Sequence, residues 1–232
     1  MISSAEAAEL KEVPLFAGLP DEELDQIARF LHRTTVPAGT LLVSAHLPGE
    51  AVYSILEGSV KVQLVSEEGL EVTAALLGPG DTLGELGVIS PRRTSANVVT
   101  RQETALLWLD RKSFLRCLDL SPGLCRNLVR ELGERLRRAN DQIQSLATLD
   151  VTGRVARQIL ELVERYGRPV PGEGIYIPIP VTQGEIAEMV AATRERVNQI
   201  VVRLKRGGVL DADPEHRITV RRPEVLADLS RF

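Results

Sequence analysis

Residues 182–208 read TQGEIAEMVAATRERVNQIVVRLKRGG, and this stretch decides the architecture. Thr182 stands three residues before Glu185, the spacing of a capping box. The Thr hydroxyl can satisfy the Glu185 amide while the Glu carboxylate reaches back to the Thr amide. The helix so opened contains Ile186, Ala187 and Val190, and Ala191-Ala192 occupy the place of a tight turn. Thr193 then caps a second helix, in which Val197, Ile200, Val201 and Leu204 recur at i, i+3, i+4 and i+7. Gly207-Gly208 end it, as glycines do where a helix must stop. With that stripe turned inward, Arg194, Glu195, Arg196, Asn198, Gln199 and Arg203 remain for the outside or the N-terminal end. These residue types suit the major groove of DNA: Arg pairs with guanine, Gln or Asn with adenine, Glu with cytosine. A solvated face on a small protein-binding domain is the alternative these residues leave open.

Downstream, Val209-Leu210, a polar turn over 211–216 and Ile218-Thr-Val220 predict a hairpin, the wing of a winged helix-turn-helix. Upstream, Gly167 to Gly174 reads as a loop. Ile175 to Val181 reads as an edge strand, because Pro178 and Pro180 cannot donate to a ladder. Arg154 to Tyr166 is predicted helical, with Val155, Ile159, Leu162 and Val163 on one face.

Further upstream lies a long helix. Ser121-Pro122 opens it, and Val129, Leu132, Leu136, Ala139, Ile143 and Leu146 follow at alternating spacings of three and four. That is a heptad seam, flanked by Arg135, Arg137, Arg138, Asp141 and Gln142. A helix packed only on its own domain shows a wider apolar face. The seam is therefore read as a homodimer interface, with an intradomain helix as the alternative. From about residue 34 to 110 the period shortens. Runs at Leu41–Val43, Val52–Leu56, Val60–Val65, Val72–Leu77, Ala96–Thr100 and Ala105–Leu109, punctuated by Gly and Pro, predict an antiparallel sandwich or barrel. Near the start, Pro20 followed by acids predicts a short helix. The expected organisation is α+β: a β-roll domain over 1–120, a dimerisation helix and hinge over 121–149, and a winged helix-turn-helix over 150–232.

Charge is divided unevenly. Residues 1–150 hold 15 Lys/Arg against 21 Asp/Glu, whereas 151–232 hold 13 against 11. Within 193–206 five basic residues face only Glu195. A basic helix on an acidic protein is compatible with DNA, since counterion release depends on the docking face. No run of about 18 apolar residues occurs, so no membrane is expected, and the acidic start does not read as a signal peptide; the cytoplasm is the expected compartment. Cys117 and Cys125 cannot make a four-cysteine metal site, and both are expected to pack in or beside helices. His32, His46 and His216 are scattered, no hydrolase or nucleotide-triphosphate motif occurs, and neither an enzyme nor a metal is expected. Gly78-Pro-Gly80 lacks the strand–turn–long-helix setting of a dinucleotide fingerprint.

Three motifs, in order along the chain, resemble the cyclic-AMP receptor protein/FNR (CRP/FNR) family of transcriptional regulators. Pro79-Gly-Asp-Thr-Leu-Gly-Glu-Leu-Gly87 with Arg93-Thr94-Ser95-Ala96 resembles the phosphate-binding cassette of cyclic-nucleotide domains. Leu149-Asp-Val-Thr-Gly-Arg-Val-Ala156 resembles the hinge, and Thr193-Arg-Glu-Arg-Val197 the start of the recognition helix. The resemblance spans roughly residues 12–222 and implies a pocket for a cyclic nucleotide, cyclic AMP being the expected effector. Gly84, Glu85 and Leu86 would open a short turn whose amides face the phosphate. Glu85 would accept from the ribose hydroxyl, Arg93 would pair with the phosphate, Thr94 would donate to it, and Asn140 would contact the base. Arg194, Glu195 and Gln199, beside Thr193, would read bases, and Thr182, Arg196 and Arg217 would hold phosphates.

Two departures stand out. The family's adenine-reading pair of hydroxyl-bearing or amide residues is here Ala139-Asn140, and Ala139 has no hydroxyl. Gln199 stands where the best-known members carry Arg, which favours adenine over guanine and implies a two-fold operator related to the TGTGA-type half-site. The implied partners are double-stranded DNA, a second copy of the chain and RNA polymerase. An iron–sulfur sensor is excluded by the cysteine count, and a haem sensor is disfavoured because His46 beside Pro48-Gly49 reads as a loop residue. Two other readings remain: a regulator that works without a cyclic nucleotide or with another ligand, and a nucleotide-binding module without DNA binding.

Overall fold

The computed structural model describes residues 10–66, 68, 71–90, 94 and 96–231. The chain divides into two compact units, 1–136 and 137–232, and each is described by itself.

In the first unit a 3-10 turn at Pro14–Phe16 precedes α1 (Asp21–Ala28), whose first turn is all acidic, so negative charge meets the free amides there. Its described strands are β1 (His32–Val36), β2 (Leu41–Val43), β3 (Ala51–Glu57), β4 (Val60–Val65), β5 (Glu71–Leu77), β6 (Thr82–Leu83), β7 (Ala96–Thr100) and β8 (Thr104–Asp110). They build two four-stranded sheets ordered β1-β8-β3-β6 and β2-β7-β4-β5, antiparallel throughout. The six runs expected from period and punctuation are β2, β3, β4, β5, β7 and β8, each to within one residue at either end. β1 and β6 were not expected: β1 reads HRTTV with no buried residue, and β6 is two residues long.

Successive side chains of a strand face opposite ways, and β8 uses both faces. Leu106 joins Ile55, Val60, Leu77, Leu83 and Val98 inside the roll. Leu107 and Leu109 turn the other way, onto a second cluster with Leu15, Phe16, Leu24, Ile27, Phe114 and Leu124. That cluster joins α1 to the short helix α2 (Glu85–Ile89) through Val88, to α3 (Arg111–Leu120) and to the start of α4 (Pro122–Thr148). Ser121 caps α4 by accepting the Leu124 amide at 3.0 Å, and its hydroxyl donates to the Glu23 carboxylate.

The seam expected on α4 is only partly free. Val129, Leu136 and Ile143 are 69, 63 and 65% exposed and Leu146 is 39% exposed, and Ala139 is also exposed. Leu132 departs from the expectation, since it packs against the core of its own unit. Arg135 also does more than flank the seam, because its guanidinium turns onto the β-roll.

The second unit opens with α5 (Val151–Tyr166), capped by the Asp150 carboxylate, which accepts the Gly153 amide at 2.8 Å. Val155, Ile159 and Leu162 of α5 are fully buried. Four short strands follow the chain: β9 (Arg168–Val170), β10 (Gly174–Tyr176), β11 (Leu210–Ala212) and β12 (Ile218–Val220), in the order β11-β12-β10-β9. Two expectations need correction. The Gly167–Gly174 stretch is not a plain loop but carries β9. The run beginning at Ile175 is not an edge, for β10 is hydrogen-bonded to both β12 and β9. It ends at Tyr176, before either proline, and the edge strand β9 holds Pro169 instead, where a missing donor costs nothing. α6 (Gln183–Met189), α7 (Arg194–Arg206) and α8 (Pro223–Leu229) complete the unit.

Candidate nucleotide pocket and nucleic-acid interface

A pocket opens in the β-roll, lined by apolar Val43, Val62, Leu77, Leu83, Ala96 and Val98 and, at its polar side, by Gly84, Glu85, Leu86, Gly87, Ser90, Thr94 and Arg135. Glu85 is 1% exposed. Its Oε1 pairs with Arg135 Nη1, while Arg135 Nη2 donates to the Thr82 carbonyl at 2.8 Å. Its Oε2 is buried with no hydrogen-bond partner. An orphaned buried carboxylate oxygen carries the desolvation cost of an acceptor without compensation, so the site is built to receive a donor there.

Gly84 caps α2 with φ of 87°, and a Cβ at that position would stand 2.3 Å from the Ala51 carbonyl oxygen. The glycine is needed for the close approach of α2 to β3, besides any approach to a ligand. No side chain caps α2, so the first amides, at Glu85 and Leu86, have no intrahelical acceptor. Gly49 and Gly87 meet more closely still, since a Cβ on Gly49 would lie 2.3 Å from the Gly87 carbonyl carbon. Arg111 Nη1 bonds both of their carbonyls, at 3.3 and 3.1 Å. These contacts set the position of α2 and were missed by sequence reasoning; two isolated glycines and an arginine 24 residues away carry no local signal.

Thr94 lies at the pocket, but its hydroxyl donates to the carbonyls of Ser44, at 2.5 Å, and Leu47, at 3.0 Å. One proton cannot serve both and a phosphate at once. Leu86 is 54% exposed. Arg93 lies outside the described residues. Asn140 is exposed on α4, beyond the first unit. His46 occupies a turn with φ of 66°, as expected. The β-domain holds a second histidine, His32 in β1, stacked on Trp108 with ring centroids 4.7 Å apart. Glu131 of α4 is partly buried beside the pocket's acids, and burial pushes its carboxyl up to about 7.

In the second unit the expected helix-turn-helix is present in detail. Thr182 Oγ1 accepts the Glu185 amide at 3.2 Å and the Thr182 amide donates to Glu185 Oε2 at 2.8 Å. Ala191 takes φ of 49° in the turn, and Thr193 accepts the Arg196 amide at 3.2 Å. Val197, Ile200, Val201 and Leu204 are buried, whereas Arg194, Glu195, Arg196, Asn198 and Gln199 are exposed. Arg196 reaches Gln199 at 3.4 Å. Arg203 serves the scaffold instead, donating to Thr152 of α5 at 3.2 Å. Arg217 stands at the base of the wing turn, its amide held by Asp213 at 2.8 Å. Gln142 of α4 donates to the Met189 carbonyl at the end of α6, at 3.0 Å.

Comparison with known proteins identifies both domains. Residues 33–121 match the cyclic nucleotide-binding domain family, and residues 153–229 match the Crp-like helix-turn-helix domain. The chain is 30% identical over 214 residues to a CRP-like cAMP-activated global transcriptional regulator of Mycobacterium tuberculosis, covering 89% of this chain and 95% of that one. The chain belongs to the CRP/FNR family. It is also 29% identical to the cyclic AMP receptor protein of Thermus thermophilus, over 95% of this chain and 98% of the other. A CRP/FNR-family transcriptional regulator of Thermus thermophilus superposes with a TM-score of 0.66 at 26% identity, over 86% of this chain and 98% of that one. The protein is thus a transcriptional regulator with a cyclic-nucleotide-binding domain and a DNA-binding helix-turn-helix domain. No helix among the described residues is long and apolar enough to cross a membrane.

Proposed function

We propose that this regulator is controlled by cyclic AMP and binds a two-fold symmetric DNA operator as a homodimer, in the cytoplasm, with RNA polymerase as its protein partner by family membership. The observation that carries the ligand reading is Glu85, whose buried Oε2 has no partner while Oε1 is held by Arg135. A ribose hydroxyl would supply the missing donor. The free amides at the start of α2 and the cation at Arg93 would hold the single charge of the cyclic phosphate, and the apolar strands would cover the rest.

The dimer reading rests on Val129, Leu136, Ile143 and Leu146, exposed aliphatic side chains recurring along one helix. The same helix carries Arg135 to the pocket and Gln142 to the end of α6. A ligand that preferred one setting of α4 would therefore bias both the pairing of subunits and the presentation of α7, provided it binds the two settings unequally. On the DNA, Arg194, Glu195 and Gln199 would read bases, and Thr182, Arg196 and Arg217 would hold phosphates. Two recognition helices so paired would meet half-sites about one helical turn apart.

Ala139 favours a second reading, control by a ligand other than cyclic AMP, because it removes one hydrogen bond to adenine, worth about 1–3 kcal/mol when buried. Calorimetric titration with cyclic AMP and with cyclic GMP separates the two. Micromolar or tighter binding of cyclic AMP alone supports the first; binding of neither, with operator binding intact, supports the second.

A further inference from the structure

Two helices of the second unit meet across a crevice through polar side chains. From α4 it is lined by Arg138, Asp141, Gln142 and Ser145, and from α5 by Arg154, Arg157, Gln158 and Glu161. Each set is spaced i, i+3, i+4, i+7, the stripe that one helix face presents to a neighbour. Helices that pack face to face commonly bury apolar stripes, so packing does not account for this pairing. All eight residues belong to the second unit. The α4 stripe runs beside the proposed seam of Val129, Leu136, Ile143 and Leu146, so its polar groups do not compete with subunit pairing.

Charge is sorted along the crevice. Arg157 is paired with Asp141 at 3.3 Å, and Glu161 with Arg165 at 3.5 Å. Glu164 also lines it but is exposed, and stands about 15 Å beyond Arg154 along α5 at the usual helical rise. Arg138 and Arg154 have no acidic partner among the described residues. Arg154 Nη2 donates to the Ala191 carbonyl at 3.4 Å, and its Nε is buried without any acceptor. A buried donor on a charged group is costly to leave unmade. Ser145, 6% exposed, brings a hydroxyl to the same crevice.

We propose that this crevice is a second effector site, within the DNA-binding unit itself, for a small oxyanion accepted by Arg154 with the Ser145 hydroxyl beside it. It lies outside the nucleotide pocket and does not depend on the nucleotide reading. A guanidinium suits such a ligand, because two N–H groups on one edge match two oxygens of a phosphate or carboxylate. The side chains that line the crevice also hold the helix-turn-helix. Gln142 donates to the Met189 carbonyl at 3.0 Å, and Arg154 to that of Ala191, which has φ of 49° in the turn before α7. An oxyanion on Nε fixes the guanidinium plane and with it the Nη2 bond to Ala191. A left-handed conformation, disfavoured for a residue with a Cβ, thereby gains support, and α7 is held for DNA. Anion and operator then raise each other's affinity by the same factor, as linkage requires.

The test uses the full chain, with inorganic phosphate or acetate replacing chloride at constant ionic strength. Thermal melting is read for the wild type, Arg154→Gln, Arg154→Lys and Arg93→Ala. Fluorescence anisotropy of a duplex with two TGTGA-type half-sites, in saturating cyclic AMP, is read for the wild type and the two Arg154 variants. Expected in the wild type is a saturable Tm rise of about 2–5 °C and duplex binding about fivefold tighter. Arg93→Ala should keep the Tm response and Arg154→Gln should lose both responses. Arg154→Lys, which keeps the charge without the planar fork, should fold and respond only at higher anion concentration. A response to acetate in place of phosphate supports the same site with a carboxylate ligand. A rise that does not saturate and is equal in the wild type and Arg154→Gln is the general effect of phosphate on folded proteins and overturns the proposal. Loss of the response in Arg93→Ala puts the anion in the β-roll; it overturns the proposal and leaves the nucleotide reading standing. A Tm response without any change in duplex affinity overturns the link to the turn.

Discussion

Glu85 is 1% exposed and its two oxygens differ only in that one has a partner. Arg194 and Glu195 at the start of α7 stand in solvent. On the proposed function the pocket would select with few groups, dehydrated and fixed by residues from distant parts of the chain. The recognition helix would select with many groups, hydrated and free to adjust. A small ligand offers little surface, so each contact must be strong, and strength comes from exclusion of water. DNA offers a long surface with a high charge density, so weak, salt-sensitive contacts sum to adequate affinity. Errors also differ in consequence. A lost pocket contact leaves a buried charge without its partner, whereas a lost contact on α7 returns a side chain to water.

The largest expected effect lies between the two regions, on α4. Replacing Leu136 and Ile143 together by Glu should prevent pairing: each aliphatic side chain contributes about 1.5–3 kcal/mol when fully buried, and both occur in each protomer. Sedimentation should show a monomer and gel shifts only weak binding without sequence preference. A dimer that survived would remove α4 from the link between pocket and DNA.

A crossed pair of variants tests the contrast itself. Glu85→Ala should weaken cyclic AMP binding by about 1.5–3 kcal/mol, since the ribose hydroxyl loses its charged acceptor, and leave salt-dependent binding to arbitrary DNA unchanged. Arg194→Ala should leave cyclic AMP binding unchanged and weaken operator binding by about 1–3 kcal/mol per half-site. Calorimetry and gel shifts on both proteins check it; loss of both activities in either variant would mean that the two surfaces are not separable.

Smaller effects sharpen the picture of the helix-turn-helix. Thr182→Ala removes the acceptor for the Glu185 amide and should lower stability by about 0.5–2 kcal/mol, read as a shift in the denaturation midpoint with the slope unchanged. Gln199→Arg should alter affinity least, yet change the preferred base in each half-site from adenine towards guanine. Selection from a randomised operator reads this, and an unaltered consensus would take Gln199 out of the base-reading set.

What the sequence determined by itself is what local rules govern. The capping box at Thr182, the Thr193 cap, the turn at Ala191, the buried stripe of α7 and six of the strands follow from spacing within a dozen residues, and the cassette around Gly84 and Glu85 is a contiguous motif. The tertiary structure decided the rest, because long-range partners leave no periodic trace. Arg135 reads as a flanking charge on a heptad helix until the fold sets it against Glu85, 50 residues earlier. Leu132 belongs to the heptad by spacing and to its own core by contact. Arg203 looks free to meet DNA until Thr152 appears beside it. Pro178 and Pro180 suggest an edge that only strand pairing could assign, to Pro169. In each case the residue type was legible but its partner was not, since hydrogen bonding and burial between distant segments depend on how the chain closes on itself.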